Sequence, residues 1–162
     1  MNNKSIIIMG VAGCGKTTIG SLLSKQTGSY FIEGDNFHSK KNIKKMSSGI
    51  PLNDSDRMGW LKSIKNETSK RLKQNNVIIA CSALKQIYRK KLQVDNSILI
   101  YLKISKNDAQ NRLSERKDHF MPSSLVESQF KILEEPSSAL IYDATTNIDD
   151  IVNDICKKIN LR

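Results

Sequence analysis

The stretch Ile6-Ile7-Ile8-Met9-Gly10-Val11-Ala12-Gly13-Cys14-Gly15-Lys16-Thr17 decides the fold of this 162-residue chain. Its first four residues are apolar, as expected of a buried strand, and residues 10–17 match the pattern G-x-x-x-x-G-K-[ST]. Ile19, Leu22 and Leu23 follow at helical spacing, which predicts a helix whose N-terminus faces an anion. A glycine loop between a strand and a helix predicts a phosphate-binding site.

The residue types of this loop suit a nucleoside triphosphate. Glycines allow backbone N–H groups to close around the β-phosphate, where a Cβ would clash or forbid the required φ angles. Lys16 brings a cation to the β- and γ-phosphates, and the Thr17 hydroxyl is a ligand for Mg²⁺. We therefore predict that the phosphates of the nucleotide are bound by Gly10, Val11, Ala12, Gly13, Cys14, Gly15, Lys16, Thr17 and Thr18.

Short apolar runs and amphipathic stretches alternate along the whole chain. The runs, rich in Ile, Val and Tyr as buried parallel strands tend to be, are 6–9, 30–32, 77–81, 98–102 and 139–142. The clearest helical patterns cover about 56–73 and 148–159, and Ser105 with Asp108 resembles a capping box. This alternation predicts one α/β domain over 1–162 with a mainly parallel sheet, whose ligands bind at the carboxyl ends of the strands.

Charge and hydropathy restrict the functional classes. Lys plus Arg number 26 against 16 Asp plus Glu, a net charge of +10 that leaves open a nucleotide-dependent nucleic-acid-binding protein. Arginine, the usual reader of phosphates and bases, is scarce, so we expect no nucleic-acid partner. The apolar run 6–14 is too short for a membrane span and has no cleavage site after it. We expect a cytoplasmic protein with no membrane partner.

The class of nucleotide-binding protein is narrowed by what surrounds the loop. The guanine-binding sequence N-K-x-D of GTPases is missing from the chain. The third apolar run ends in Cys81, where a Walker B strand would end in Asp. A second carboxylate near the metal must come from elsewhere, and Glu33-Gly34-Asp35 at the end of the second run is the obvious supplier. This pattern favours a small-molecule kinase.

Several further blocks recur in a fixed order and resemble the gluconokinase family, ATP-dependent kinases that make 6-phosphogluconate. The resemblance covers about residues 6–136, through blocks at 31–38, 42–46, 49–57, 60–61, 81–85, 88–89, 112–113, 116–121, 128–130 and 133–136. The sequence departs from the family pattern at three positions. The family more often has Asp at Glu33, usually Pro at Gly59 and often Gly at Asp118. Since Glu keeps the charge of Asp, the first change affects only the fine geometry of the metal.

The resemblance implies a three-layer fold like that of nucleoside monophosphate kinases, with a five-stranded parallel sheet and a mobile lid at about 112–130. It also implies an acceptor-binding segment at about 35–75, Mg-ATP as donor and, in many members, a homodimer. The activity it implies is phosphorylation of D-gluconate at its terminal hydroxyl, giving 6-phospho-D-gluconate and ADP. Another kinase of this fold, of the shikimate or nucleotide type, is the alternative.

Gluconate is a polyol with one carboxylate, so its site needs a cation, polar groups and an acid near the attacking hydroxyl. We assign Asp35 to orient that hydroxyl and accept its proton late in transfer, the alternative being a helix N-cap. Arg57, Lys85 and Arg89 are candidates for the carboxylate and hydroxyls, since Arg grips a carboxylate with two parallel hydrogen bonds. A solvated helix face is the alternative for Lys85 and Arg89. His38 is expected to donate to a hydroxyl, or else to be a capping or core histidine.

Two arginines four residues apart precede the expected lid. By the resemblance, Arg112 packs on adenine, and Arg116 meets the transferring phosphates when the lid closes, which makes it catalytic together with Lys16 and Asp35. The alternative for both is surface ion pairing with Glu115 or Asp108. His119 and Gln129 are assigned to contact the substrate or to hinge the lid.

Overall fold

The five predicted strands form one parallel sheet. A computed structural model describes residues 2–116 and 122–161. The strand order is β2-β3-β1-β4-β5, and every neighbouring pair is parallel, which confirms the predicted α/β class. The strands are Ser5–Met9 (β1), Tyr30–Glu33 (β2), Val77–Ala80 (β3), Ser97–Lys103 (β4) and Leu140–Asp143 (β5).

Helices connect successive strands, as the alternating pattern predicted. A short 3₁₀ helix, Gly34–Phe37, follows β2 directly. The α-helices of the described residues are Lys16–Thr27 (α1), Lys40–Ser47 (α2), Asp54–Arg71 (α3), Gln86–Leu92 (α4), Lys106–Ser114 (α5), Ser123–Ile132 (α6) and Ile148–Ile159 (α7).

The alternation of side chains along β1 creates two cores. Ile6 and Ile8 point to one face of the sheet, where they join apolar residues of α1 and α7. Ile7 and Met9 point to the other face and join residues of α3 and α4. All four side chains are at most 1% exposed. The molecule therefore has three layers, with the strand that leads into the glycine loop at their centre.

The two edge strands differ from the prediction of uniformly buried strands. In β5, the Ile141 side chain is 56% exposed. Of the four residues of β2, Ile32 alone is buried. Each of these strands has a single neighbour in the sheet, so one side of it lacks the cover that the central strands receive.

Helix α3 begins at Asp54, two residues before the predicted start. A capping box explains the difference: the Asn53 side chain accepts a hydrogen bond from the Asp56 backbone N–H, and the Asp56 carboxylate accepts one from the Asn53 N–H. Helix α5 has half of its predicted box, since Ser105 Oγ accepts from the Asp108 N–H at 3.1 Å. Within the described part of the chain, no helix is both long and apolar enough to traverse a bilayer.

Candidate active site

The glycine loop forms a cradle at the carboxyl end of β1. Gly10, Gly13 and Gly15 have φ angles of 151°, 85° and 97°, in the range that L side chains rarely adopt. A Cβ on Gly10 would also lie 2.6 Å from Cys14 Sγ. Gly15 is the N-cap residue of α1, and no acidic side chain lies in the first turn of that helix. The free N–H groups and the helix dipole therefore favour an anion in the cradle.

Two polar side chains of the loop are held next to the cradle. Lys16 Nζ donates to the Val11 carbonyl at 3.1 Å, so the ammonium group folds over the loop. The Thr17 hydroxyl donates to Glu33 Oε2 at 2.5 Å. The loop after β1 and the end of β2 thus place a hydroxyl and a carboxylate together, the kind of oxygen ligands that Mg²⁺ takes.

Asp35 follows at a close approach between β2 and β3. A Cβ on Gly34 would lie 2.6 Å from the Ala80 carbonyl oxygen, so only glycine allows this turn to pack against the end of β3. Asp35 is exposed, and its carboxylate accepts no hydrogen bond from residues 2–116 or 122–161. Its side chain does not cap a helix, because Glu33 is the N-cap of the 3₁₀ helix and Ser39 caps α2.

His38 lies against an aromatic wall. Its ring stacks on Trp60 with 4.2 Å between centroids, and Trp60 Nε1 donates to the Gly34 carbonyl at 2.7 Å. Burial lowers the pKa of His38, and the nearby Arg57 lowers it further, against an opposing effect of Asp35. The imidazole is therefore neutral near pH 7, and its buried Nδ1 has no hydrogen-bond partner among the described residues.

Arg57 reaches the site from the first turns of α3. Its Nη1 donates to the Tyr88 hydroxyl at 2.9 Å. Lys85, also predicted to bind substrate, instead pairs with Asp54 at 2.9 Å and is not part of the cavity wall described below. It is the N-cap of α4 and not a member of its helical face.

Arg89 differs most from its prediction. Its side chain is buried, with the residue 5% exposed, and does not reach the cavity. Nη1 donates to the Ala83 and Leu84 carbonyls at 2.8 and 3.1 Å, and Nη2 donates to the Glu134 carbonyl at 2.9 Å. A guanidinium group whose donors are used in this way has a structural role, which corrects the expected substrate contact.

Arg112 and Arg116 lie at the end of α5, close to the cradle. Arg112 Nη2 donates to the Ala144 carbonyl at 2.6 Å, and Nη1 makes longer contacts of 3.4 and 3.5 Å to the Gly13 and Cys14 carbonyls. Arg116 is exposed and lines the cavity. Neither arginine forms an ion pair within the described part of the chain, so the alternative of surface pairing is not seen there.

The remaining predicted residues are Gln129 and His119. Gln129 of α6 accepts a hydrogen bond from the Ala12 N–H at 2.7 Å, which ties α6 to the glycine loop. His119 lies outside the described residues.

The sequence prediction missed the loop after β5, where Ala144 contacts Arg112. Small and polar residues directly after a strand, Ala144-Thr145-Thr146, are the signal that could have indicated it.

These residues surround a cavity of about 800 Å³ at the carboxyl end of the sheet. One side is the cradle, and the opposite side is formed by the 3₁₀ helix, α2 and α3. Residues of α5 and α6 complete it. The predicted site residues in its wall are Ala12, Gly13, Gly15, Lys16, Thr17, Thr18, Asp35, His38, Arg57, Arg116 and Gln129, together with Glu33.

A strand, a glycine cradle and a helix with Lys16 and Thr17, facing a carboxylate across a cavity, define a P-loop kinase. Residues 12–160 match the family model described as shikimate kinase. The thermosensitive gluconokinase of Escherichia coli K12 is 41% identical over 142 residues, which cover 85% of this chain and 75% of its own length.

Two crystal structures are similar to this chain in both sequence and fold. An unliganded sugar kinase from Janibacter sp. HTCC2649 is 35% identical with a TM-score of 0.91, covering 98% of this chain and 95% of its own. A gluconokinase from Sinorhizobium meliloti 1021 is 36% identical with a TM-score of 0.85, covering 97% and 91%. A shikimate kinase from Acinetobacter baumannii is only 16% identical, which shows a shared fold alone. The chain belongs to the gluconokinase family.

Proposed function

We propose that this chain transfers the γ-phosphate of ATP to the terminal hydroxyl of D-gluconate, giving 6-phospho-D-gluconate and ADP. The observation that carries the proposal is the cavity, in which Asp35, His38 and Arg57 face the phosphate cradle. Membership of the gluconokinase family supports the same substrate. A volume of about 800 Å³ is within the range of pockets that bind small molecules.

The donor side is built from the chain's own amides and two side chains. The cradle N–H groups and the N-terminus of α1 bind the phosphates, and Lys16 turns from the Val11 carbonyl to the β- and γ-oxygens. Thr17 and Glu33 would hold Mg²⁺, which supplies charge neutralisation at the phosphates when it is bound. Few protein ligands suffice, since Mg²⁺ keeps several waters and binds substrate phosphates.

The acceptor side separates the two ends of gluconate. Arg57 binds the carboxylate, because a guanidinium group matches its two oxygens. Neutral His38 contacts a hydroxyl and adds no positive charge beside that of Arg57. Asp35 orients the terminal hydroxyl and accepts its proton as transfer completes, with its carboxylate free of other described partners.

Residues of α5 and α6 complete the reaction space. We assign Arg112 to pack on the adenine ring, beside the loop that contains Ala144. Arg116 adds positive charge where the transition state spreads negative charge, and Gln129 couples α6 to the cradle. Lid closure over 112–130 would exclude water during transfer.

Three further expectations belong to this proposal. They are a cytoplasmic location, the absence of nucleic-acid and membrane partners, and a homodimer of the kind found in many members of the family. Sedimentation of the purified protein measures the last of these.

One assay tests the proposal against its alternatives. ADP release is measured with D-gluconate, other sugar acids, shikimate, nucleoside monophosphates or RNA as the second component. We expect turnover with gluconate well above that with the other additions. Stimulation by shikimate, a nucleotide or RNA but not by gluconate would overturn the proposal.

Exchange of one lysine tests the position of the donor site. Lys16→Ala removes the cation at the transferring phosphates, and we expect kcat to fall by about 10²-fold or more. Lys157→Ala, on the exposed face of α7, is the control and leaves turnover nearly unchanged. Equal losses in the two variants would mean that the site is elsewhere.

A further inference from the structure

We propose that Tyr88 is a positioning residue for Arg57, held in place by Asp54, and that it thereby sets the affinity for the carboxylate of the acceptor. This inference rests on the proposed function, since it concerns how the substrate-binding arginine is oriented. Tyr88 does not line the cavity, so it would act through Arg57 and not by touching the substrate.

The contacts form a chain from the cavity to the surface. Arg57 Nη1 donates to the Tyr88 hydroxyl at 2.9 Å, and that hydroxyl donates its own proton to Asp54 Oδ1. Lys85 Nζ donates to the same carboxylate oxygen at 2.9 Å. The Tyr88 hydroxyl therefore accepts one hydrogen bond and donates its single proton in another.

The buried phenol ring of Tyr88 makes this series of hydrogen bonds rigid. Tyr88 is 1% exposed and packs in the core between the sheet and α3, so its hydroxyl cannot follow a moving arginine. The Arg57 guanidinium carbon lies 5.2 Å from the ring centroid, and Lys85 Nζ lies 5.7 Å from it. Burial and the bond to Asp54 both raise the pKa of Tyr88, so the hydroxyl keeps its proton.

Because of these contacts, one donor of Arg57 is engaged and the others remain for a ligand. One N–H is fixed on Tyr88, and the other four have no hydrogen-bond partner in the described part of the chain. A carboxylate can then be gripped by two parallel N–H groups without a rearrangement first. Without the tyrosine hydroxyl, the guanidinium group is free to rotate, and binding must restrict that rotation.

Asp54 also explains why Lys85 stays out of the cavity. The bonds from Tyr88 and Lys85 lower the pKa of Asp54, so its carboxylate is ionised and retains both donors. The amino end of α3 is thereby joined to the start of α4, and Lys85 supports Arg57 indirectly.

A second cluster has the same set of one tyrosine, one aspartate and one lysine, without an arginine, and supplies a matched control. The Tyr142 hydroxyl donates to Asp154 Oδ2 at 2.7 Å, and Lys158 pairs with Asp154 at 2.8 Å. Lys158 Nζ lies 5.4 Å from the Tyr142 ring centroid. This cluster joins β5 to α7 and contains no cavity residue.

Steady-state kinetics of Tyr88→Phe test the inference. We expect KM for gluconate to rise about tenfold, the loss of one hydrogen bond to a charged group, with kcat and KM for ATP within about twofold of the parent. Tyr142→Phe leaves all three constants unchanged. In an Arg57→Lys background, Tyr88→Phe has no further effect on KM for gluconate, because the group that it positions is already gone.

Other outcomes contradict the inference in distinct ways. An unchanged KM in Tyr88→Phe, or the same rise in the Arg57→Lys background, would overturn it while gluconate turnover by the parent chain keeps the proposed function intact. If Tyr88→Phe does not fold, Asp54→Asn removes the carboxylate from an exposed position and should raise KM for gluconate about threefold. No rise in that variant would also overturn the inference.

Discussion

Asp35 combines exposure with the absence of a described partner, and both suit a group that must receive a proton. Asp35→Asn keeps the shape but accepts no proton, so kcat should fall by about 10²- to 10³-fold with both KM values within a few-fold. Coupled measurement of ADP release checks this. Asp95→Asn, in the exposed turn before β4, is the control. An Asp35→Asn enzyme with normal kcat would remove Asp35 from the mechanism.

The stacked position of His38 predicts a pH dependence of stability. Because burial lowers its pKa, the unfolded chain binds more protons at His38 than the native protein does, and the free energy of unfolding rises with pH. Stability is full above the ordinary histidine pKa and is lost as pH falls from that value through the lowered pKa of the native state. Carboxylates with a lowered pKa, such as Asp54, change the free energy of unfolding at lower pH than His38 does.

Urea denaturation between pH 5 and 7 measures this effect. We expect the parent chain to lose more stability on acidification than His38→Gln, which has no proton to gain there. If the free energy of unfolding has the same pH dependence in the two proteins, His38 binds protons equally in the folded and unfolded states, which would contradict the prediction.

At the scale of elements, Arg89 connects the start of α4 with the segment that follows α6. The Glu134 N–H also donates to the Leu84 carbonyl, and the Gln86 N–H donates to Glu134 Oε1. Arg89→Met would leave the buried Ala83 carbonyl without its donor and remove one of the two donors to the Leu84 carbonyl, at a cost of about 1–3 kcal/mol in the free energy of unfolding.

The kinetic result separates this role from substrate binding. Folded Arg89→Met should keep the KM of the parent for gluconate, and Lys90→Met on the exposed side of α4 should match the parent in both stability and KM. Denaturation curves and initial rates on the same preparations check both points. A large rise in KM with unchanged stability would return Arg89 to the substrate site.

Element types were predictable because their signals are local. The apolar runs located all five strands, and the 148–159 spacing gave both ends of α7. The start of α3 was predicted wrongly, since Asn53-x-x-Asp56 was not recognised as a capping box. The cradle followed from its motif, but the separate roles of Lys85 and Arg89 depend on Asp54 and Glu134, which are 31 and 45 residues away. No local pattern contains such pairings.

At the scale of the whole molecule, ligand binding should stabilise the fold. A ligand that binds only the native state at 100 times its Kd adds about 2.7 kcal/mol. For a domain of this size, that corresponds to a rise in Tm of about 5–10 °C with Mg-ADP. Thermal unfolding followed by fluorescence measures it, and Lys16→Ala is the control in which most of the shift is lost. No shift in the parent chain would contradict nucleotide binding at the cradle.

The common direction of the five strands has a consequence for engineering and for evolutionary drift. The cradle, Asp35 and the cavity all lie where strands end, and the rim where strands begin contains none of the predicted site residues that the structure describes. The turn at 94–96, held by the Val94 N–H on Ser97 Oγ, belongs to that rim. Peptide tags or fluorescent reporters grafted there would be tolerated, and natural variation should accumulate there first.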